Sequence, residues 1–315
     1  MRETVAGGGR HGAEEGAVRP GPVPALSAGQ TVGDSLHQVR QRLIAVGVDP
    51  TEAALEARVL HQEILGLTVA QLYTRLDKPL APQAEAALAR LLSRRLAREP
   101  LAYLIGQREF FGLKLRIDRR ALIPRPETEI LVEAALDMVA RLKLPEPWIV
   151  DVGTGSGAIA IALAVQLPQA RVVALDRSLD ALALAAENVR QHGLEDQIAL
   201  VAGDLLAPLQ GPFDLIVANL PYVPDAAIAT LAPEVRDFEP SLALAGGPDG
   251  LNLYRRLLPQ VASRLKRPGA LLIEIGQGQG ASAHRLVQTA LPDAAVRSIP
   301  DYAGIERVVS AALVV

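Results

Sequence analysis

Residues 150–164 read VDVGTGSGAIAIALA: an apolar run closes at Val152, glycine recurs at 153, 155 and 157, and a stretch of small and branched apolar residues follows. Glycine lets the backbone turn sharply and lets a ligand approach it closely, beside the N–H groups that open a helix. The stretch therefore predicts a strand, a tight turn and a helix N-terminus in immediate succession. A glycine turn alone is weak evidence for a ligand, because a purely structural strand-to-helix turn uses the same residues. A second element stands in the next apolar run, RVVALD, which ends at Asp176. That carboxylate follows Gly157 at about the 20-residue distance of an acid that receives ribose hydroxyls. The loop spacing is G-x-G-x-G, whereas dinucleotide enzymes carry G-x-G-x-x-G, and spacing alone leaves the cofactor open.

Working outward, the runs WIVDV, RVVALD, IALVAGD, FDLIVAN and ALLIEIG alternate with amphipathic helical stretches. This pattern predicts a parallel sheet covered by helices on both faces. AAVRSIPD and ERVVSAALVV read as a closing strand pair. Toward the N-terminus the period becomes helical, from Asp34 to about Arg98. Leu36, Val39, Leu43 and Val46 share one helix face. TEAALEARVLHQEILG opens a second helix at Thr51 and closes it at Gly66. TVAQ at 68–71 has the form of a capping box before a short third helix, and PQAEAALARLLSRRLAR follows as a fourth. Arg90, Arg94, Arg95 and Arg98 recur at helical spacing and read as a solvated surface, with docking of an acidic partner as the lesser reading. EFFGLKLRID alternates like a hairpin, and ALIPRPETEILVEAALDMVARL leads into a long helix with acids in its first turn.

These shifts divide the chain into a tail at 1–30, a helical domain at 31–105, a hairpin linker at 106–125 and an α/β domain at 126–315. The tail is too poor in large apolar groups to offset ordering entropy and is expected to be disordered. With 315 residues, half of them apolar, two domains are the natural expectation. Lys and Arg number 32 against 35 Asp and Glu, so the basic footprint of a general nucleic-acid binder is missing, and a protein or small-molecule partner fits better. The absence of cysteine excludes disulfides, thiolate metal sites and cysteine nucleophiles. The five histidines are scattered without metal-ligand spacing. MRETVAGGGRHGAEEG lacks an apolar signal region and no later run is long enough to cross a bilayer, so a soluble, cytoplasmic protein is expected.

ANLPYVP, at 218–224, follows the strand-like FDLIVA. Proline lacks an N–H and restricts the residue before it to extended geometry, which leaves the Leu220 carbonyl able to accept a hydrogen bond next to the Asn219 side chain. The structural alternatives are a strand-end turn former at Asn219 and a packed core aromatic at Tyr222.

The D-x-G-x-G-x-G loop resembles motif I of the class I S-adenosylmethionine-dependent methyltransferases, and ANLPY resembles their motif IV, Asn/Asp-Pro-Pro-Tyr, found where the methylated atom is a planar amino or amide nitrogen. LIPRPETEILVEAAL, EVRDFEPSLALAGGPDGLNLYRRLL, LLIEIGQGQG and DYAGIERVV narrow this. In combination they resemble successive segments of the HemK-type peptide chain release factor N5-glutamine methyltransferases, over about residues 34–315. The resemblance implies an α/β fold of the class I methyltransferase, Rossmann-like type: a mostly parallel sheet with a small N-terminal helical domain joined by a β-hairpin. It implies S-adenosyl-L-methionine as cofactor, held by Gly153, Thr154, Gly155, Ser156, Gly157, Asp176 at the ribose, Asp204 and Leu205 near the adenine, and Asn219. It implies class I release factors as protein partners, recognised through the helical domain, with no membrane and no direct nucleic-acid binding. The catalytic and substrate-binding residues it implies are Asn219, Leu220, Pro221 and Tyr222. The Asn219 oxygen and the Leu220 carbonyl would accept the two N–H groups of a glutamine amide, and Tyr222 would wall the amide plane. Arg125 and Thr128, in PRPETE, would lie near the cofactor cleft, although Pro124, Pro126, Glu127 and Glu129 also suit a helix start.

One departure from the family pattern is Leu220, where proline is usual. Asn-Leu-Pro-Tyr also resembles the motif of rRNA adenine dimethyltransferases, so an adenine N6-methyltransferase acting on RNA or DNA is the rival reading, with Tyr222 stacking on a flipped base. PDAAIATLAPEVRDFEP carries more acids than bases, which weighs against it. A silent cofactor-binding protein is the third reading, opposed by intact Asp176, Asn219, Pro221 and Tyr222.

Overall fold

The computed structural model describes residues 29–314. The expected tail lies outside the described residues up to position 28; at its end, Gln30 is buried and its carbonyl accepts from the Leu80 N–H at 2.9 Å. The chain divides into two compact units between Ser93 and Arg94.

In the first unit, α1 (Val32–Ala45) begins in a capping box between Thr31 and Asp34. Its buried face is Val32, Ser35, Val39 and Leu43. The expected stripe is thus rotated to include Ser35, whose hydroxyl lies 2.9 Å from Nε2 of buried His61. α2 (Pro50–Leu65) starts before the expected Thr51: Asp49 is its N-cap, accepting from the Thr51 and Glu52 N–H groups, and Pro50 occupies the first helical position. The ring of proline presets the helical φ, so Asp-Pro outcompetes the threonine as a start signal. Gly66 closes α2 at φ +63°, and α3 (Val69–Tyr73) opens in the capping box of Thr68 and Gln71. α4 (Pro82–Leu96) carries the chain across the division.

Of the arginines read as a solvated face, Arg90 and Arg94 are exposed as expected, and the reading is corrected for Arg95 and Arg98. Arg95 is buried with its Nη2 3.0 Å from Glu234, Arg98 reaches the same carboxylate at 2.8 Å, and Arg94 pairs with Glu99. Their partners lie outside the helix, so helical spacing could not show them. After α5 (Leu101–Ile105), the strands β1 (Gln107–Phe110) and β2 (Leu113–Arg116) form the expected hairpin, and α6 (Glu129–Arg141) follows.

Then strands and helices alternate: β3 (Trp148–Val152), α7 (Ala158–Gln166), β4 (Arg171–Asp176), α8 (Leu179–Gln191), β5 (Ile198–Ala202), β6 (Phe213–Ala218), α9 (Pro233–Phe238), α10 (Asn252–Ala262), β7 (Leu265–Glu274), α11 (Gly280–Ala290), β8 (Ala295–Pro300) and β9 (Glu306–Leu313). The seven-stranded sheet has the order β5-β4-β3-β6-β7-β9-β8. Its first five strands are parallel, and β9 runs antiparallel between β7 and β8. Strand residues alternate between two cores as the pleat requires. Ile149, Val172, Leu215 and Leu272 join the core that includes residues of α6 and α7, while Val150, Val173, Ile216 and Leu271 join the core that includes residues of α10 and α11. Helix α7 is buried from Ala158 to Ala164, which explains its lack of polar residues. The chain starts the sheet at β3, moves out to β5, and returns to the other side of β3 at β6. This reversal opens a crevice at the carboxyl ends of β3 and β6, where ligands of such sheets bind. Among the described residues, no helix is long and apolar enough to cross a membrane.

Candidate active site

The glycine loop is pinned to its neighbouring strand. The N–H groups of Gly153 and Thr154 both donate to the Leu175 carbonyl, at 2.8 and 2.9 Å. The Gly155 N–H donates to Asp176 Oδ2 and the Ser178 N–H to Asp176 Oδ1, each at 2.9 Å. Asp176 therefore holds the turn in place and keeps lone pairs on both oxygens for further donors. Beneath the loop, Asp151 is fully buried and accepts from the Thr154 hydroxyl at 2.6 Å. Burial pushes its carboxyl up to about 7, against the pull of that hydroxyl.

Two glycines are required for distinct reasons. Gly153 has φ +79°, and a Cβ there would stand 2.8 Å from Leu220 Cδ2, so the bare backbone lets the two loops of the crevice meet. Gly157 has φ +84° and caps α7; a Cβ on it would crowd Ile161 and Ala185 at 3.3 and 3.4 Å.

A cavity of about 230 Å³ occupies the crevice. Its wall brings together Gly153, Thr154, Gly155 and Ser156 from the turn after β3, Asp176 from β4, Asp204 and Leu205 from the turn after β5, and Asn219, Leu220 and Pro221 from the end of β6. Arg125 and Thr128, from the turn before α6, line it as well. Two of the expected residues are not in this wall: Gly157, which packs α7 against α8, and Tyr222, whose hydroxyl donates to Glu274 Oε1 at 3.2 Å. Asp204 stands at the exposed rim, paired with Arg256, and Leu205 is buried with φ +52°.

The Asn219 amide donates through Nδ2 to the Thr128 hydroxyl at 3.2 Å, which leaves Oδ1 for another donor. The Leu220 N–H donates to the Tyr254 hydroxyl at 3.2 Å, and that hydroxyl donates in turn to the Glu274 carbonyl. The proton that leucine adds relative to proline is thereby satisfied inside the fold. Arg125 is held at the wall by Glu239, whose buried carboxylate lies 2.6 Å from its Nη2. Burial raises the Glu239 carboxyl, opposed by that guanidinium.

Sequence reasoning missed Glu274, Tyr254 and Glu239. Glu274 had a visible signal: it is an acid inside the apolar run ALLIEIG. Charged residues are almost never fully buried without a partner or a purpose. Tyr254 and Glu239 carry no comparable mark, since one sits in an amphipathic helix and the other in an acidic turn.

Two family models match the chain. Residues 34–106 match the PrmC N-terminal domain family, and residues 128–234 match the methyltransferase small domain family. The chain is 43% identical over 284 residues to the release factor glutamine methyltransferase of Bradyrhizobium diazoefficiens, covering 90% of this chain and 95% of that one. It is 45% identical over 279 residues to the release factor glutamine methyltransferase of Moorella thermoacetica, covering 88% and 96%. Among solved structures, the hMettl16 catalytic domain in complex with a 3′UTR hairpin superposes with a TM-score of 0.54 at 18% identity, over 70% of this chain and 81% of that one, a likeness of fold alone.

Proposed function

The chain belongs to the release factor glutamine methyltransferase family, and from that membership we propose that it methylates the side-chain amide nitrogen of the glutamine in the Gly-Gly-Gln loop of class I peptide chain release factors. The observation that carries this reading is the meeting, in one cavity, of Asp176 and the glycine turn with the Asn219 and Leu220 acceptors at the end of β6. The helical unit ending at Ser93 is the part we assign to substrate recognition.

S-adenosyl-L-methionine fits the donor set of the cavity. Asp176 offers acceptor lone pairs to ribose hydroxyls, and Leu175, Leu205 and Ile159 offer apolar surface to a flat heterocycle. When bound, this cofactor supplies an electrophilic methyl on a sulfonium. Every other requirement falls on the protein. A glutamine amide is a poor nucleophile, because its nitrogen lone pair is delocalised into the carbonyl. Asn219 Oδ1 and the Leu220 carbonyl accept its two N–H bonds and aim the nitrogen into the cavity. Such placement can supply a large part of the rate without a strong base, since positioning alone contributes on the order of 7–11 kcal/mol in well-oriented reactions. Pro221 holds the Leu220 carbonyl in extended geometry. Tyr222, anchored by Glu274, buttresses the segment from behind.

The test is transfer of labelled methyl from S-adenosyl-L-methionine to a purified class I release factor, with RNA and DNA as parallel acceptors. Label in the release factor alone is the expected result. Label in nucleic acid alone would replace this reading with adenine methylation.

A further inference from the structure

The two backbone polar groups of Leu220 are treated differently by the fold. Its N–H donates to the Tyr254 hydroxyl at 3.2 Å, whereas no donor among the described residues is bonded to its carbonyl. Leu220 lines the cavity, and Tyr254 is completely buried in the core that includes residues of α10 and α11. A tyrosine hydroxyl has one proton to give and lone pairs to receive. Here the proton goes to the Glu274 carbonyl at the end of β7, so the Leu220 N–H meets the lone pairs.

The place of this bridge in the sheet gives it a purpose. The parallel pairing of β6 with β7 ends at Ala218 and Ile273, so no further ladder pair fixes the chain where it reaches the cavity. The Tyr254 oxygen spans that gap, linking Leu220 to the last residue of β7. Pro221 restricts Leu220 to extended geometry, so little rotation is left between its N–H and its carbonyl. Fixing the one therefore aims the other. Beyond the carbonyl the chain is gripped again: Gln279 Nε2 donates to the Tyr222 and Asp249 carbonyls at 2.9 and 3.0 Å, and its Oε1 accepts from the Gly276 N–H at 2.8 Å.

We propose that Tyr254 is a positioning residue: by tying the Leu220 N–H to the end of β7, its hydroxyl fixes the direction of the Leu220 carbonyl that accepts a substrate N–H. This rests on the reading that the substrate group is a glutamine amide. The need for the hydroxyl is set by the residue at 220. Leucine brings a buried N–H, which is costly without an acceptor, and a φ that can relax. A proline at 220 brings no N–H, and its ring fixes φ. Tyr254 and Leu220 are therefore an energetically coupled pair, although 34 residues separate them.

The experiment is a double-mutant cycle of Tyr254→Phe and Leu220→Pro, read by turnover on a class I release factor and by calorimetric affinity for S-adenosyl-L-methionine. Phenylalanine keeps the ring in its core and removes only the oxygen. Tyr254→Phe should lower kcat about 10- to 100-fold, the scale of a misplaced reacting group. Cofactor affinity should stay within about twofold, a shift under 0.5 kcal/mol. In the Leu220→Pro background the same change should cost less than about threefold, since only the Glu274 carbonyl then loses a partner. Gln279→Ala loosens the segment without touching the Leu220 N–H and should cost the same factor in either background. Equal losses from Tyr254→Phe in both backgrounds, or a cofactor affinity that falls along with turnover, would overturn the inference. Amide hydrogen exchange at Leu220 decides the matter where a variant does not fold: slow exchange in wild type supports the hold, and free exchange contradicts it. Should wild type leave release factors unmodified while Leu220 exchanges slowly, and faster in Tyr254→Phe, the substrate reading fails and the hold on Leu220 stands.

Discussion

Asp176 performs two tasks with one carboxylate, since it braces the Gly155 and Ser178 N–H groups and also stands in the cavity wall. Asp176→Ala should therefore weaken S-adenosyl-L-methionine binding at least about tenfold by calorimetry. It should also cost roughly 1–3 kcal/mol of stability in chemical denaturation, because two backbone donors lose their acceptor. Loss of affinity without loss of stability would mean that the loop does not depend on this brace. Asn219 has one task in the cavity. Asn219→Ala should lower turnover about 100-fold or more and leave cofactor affinity nearly intact; near-normal turnover would remove it from the mechanism. Both residues were legible in the sequence because local spacing marks them, the acid by its distance from the glycine turn and the amide by the proline that follows. Glu274 and Arg95 were not, because each is met by a partner distant in the chain: Tyr222 for the first, Glu234 for the second. Periodicity reports which face a residue occupies and is silent on what meets it there.

Elements were read from pattern, and where the pattern has one solution the structure agrees. Five apolar runs became five parallel strands, the last two runs became the antiparallel edge, and the hairpin and the Thr68 capping box stand where expected. Boundaries moved where two residues compete for one role, as Asp49 and Thr51 did at the start of α2. What pattern could not show is how closely the turns after β3 and β6 approach each other. Gly153 and Leu220 approach closely at the reversal of strand order, with a Cβ on Gly153 standing only 2.8 Å from the Leu220 side chain. Gly153→Ala places a Cβ at a positive φ and drives it into Leu220. The variant should lose about 1–3 kcal/mol of stability and should impair both cofactor binding and turnover. A variant with wild-type denaturation midpoint and activity would show that the two turns are independent.

Two of the three buried acids with raised carboxyls among the described residues, Asp151 and Glu274, sit at the carboxyl ends of β3 and β7, the third being Glu239 after α9. A carboxyl whose folded value lies above its unfolded value favours the folded state below the unfolded value. That contribution is lost as pH rises through the folded value, here about 7 for Asp151 and Glu274. The carboxylates lowered by arginine partners, such as Glu99 and Asp118, act in the opposite sense and at lower pH. Buried His61, lowered by desolvation, loses its contribution as pH falls through its unfolded range. A difference measurement isolates one acid from these. The melting temperature of Asp151→Asn relative to wild type should climb by several degrees between pH 5 and pH 8; a constant difference would show that Asp151 keeps its charge state across that range. The fold was therefore legible as a whole, while the balance of buried charge beneath the site was not, since it depends on desolvation that only packing creates. The central claim is that the chain presents Asn219 and Leu220 acceptors to a glutamine side-chain amide. Its most direct test is fragment-resolved mass spectrometry of a class I release factor after incubation with this protein and S-adenosyl-L-methionine. A single added methyl on the side-chain nitrogen of the Gly-Gly-Gln glutamine is the predicted result. A methyl on any other residue, or an unmodified release factor in the presence of a protein that binds the cofactor, would contradict it.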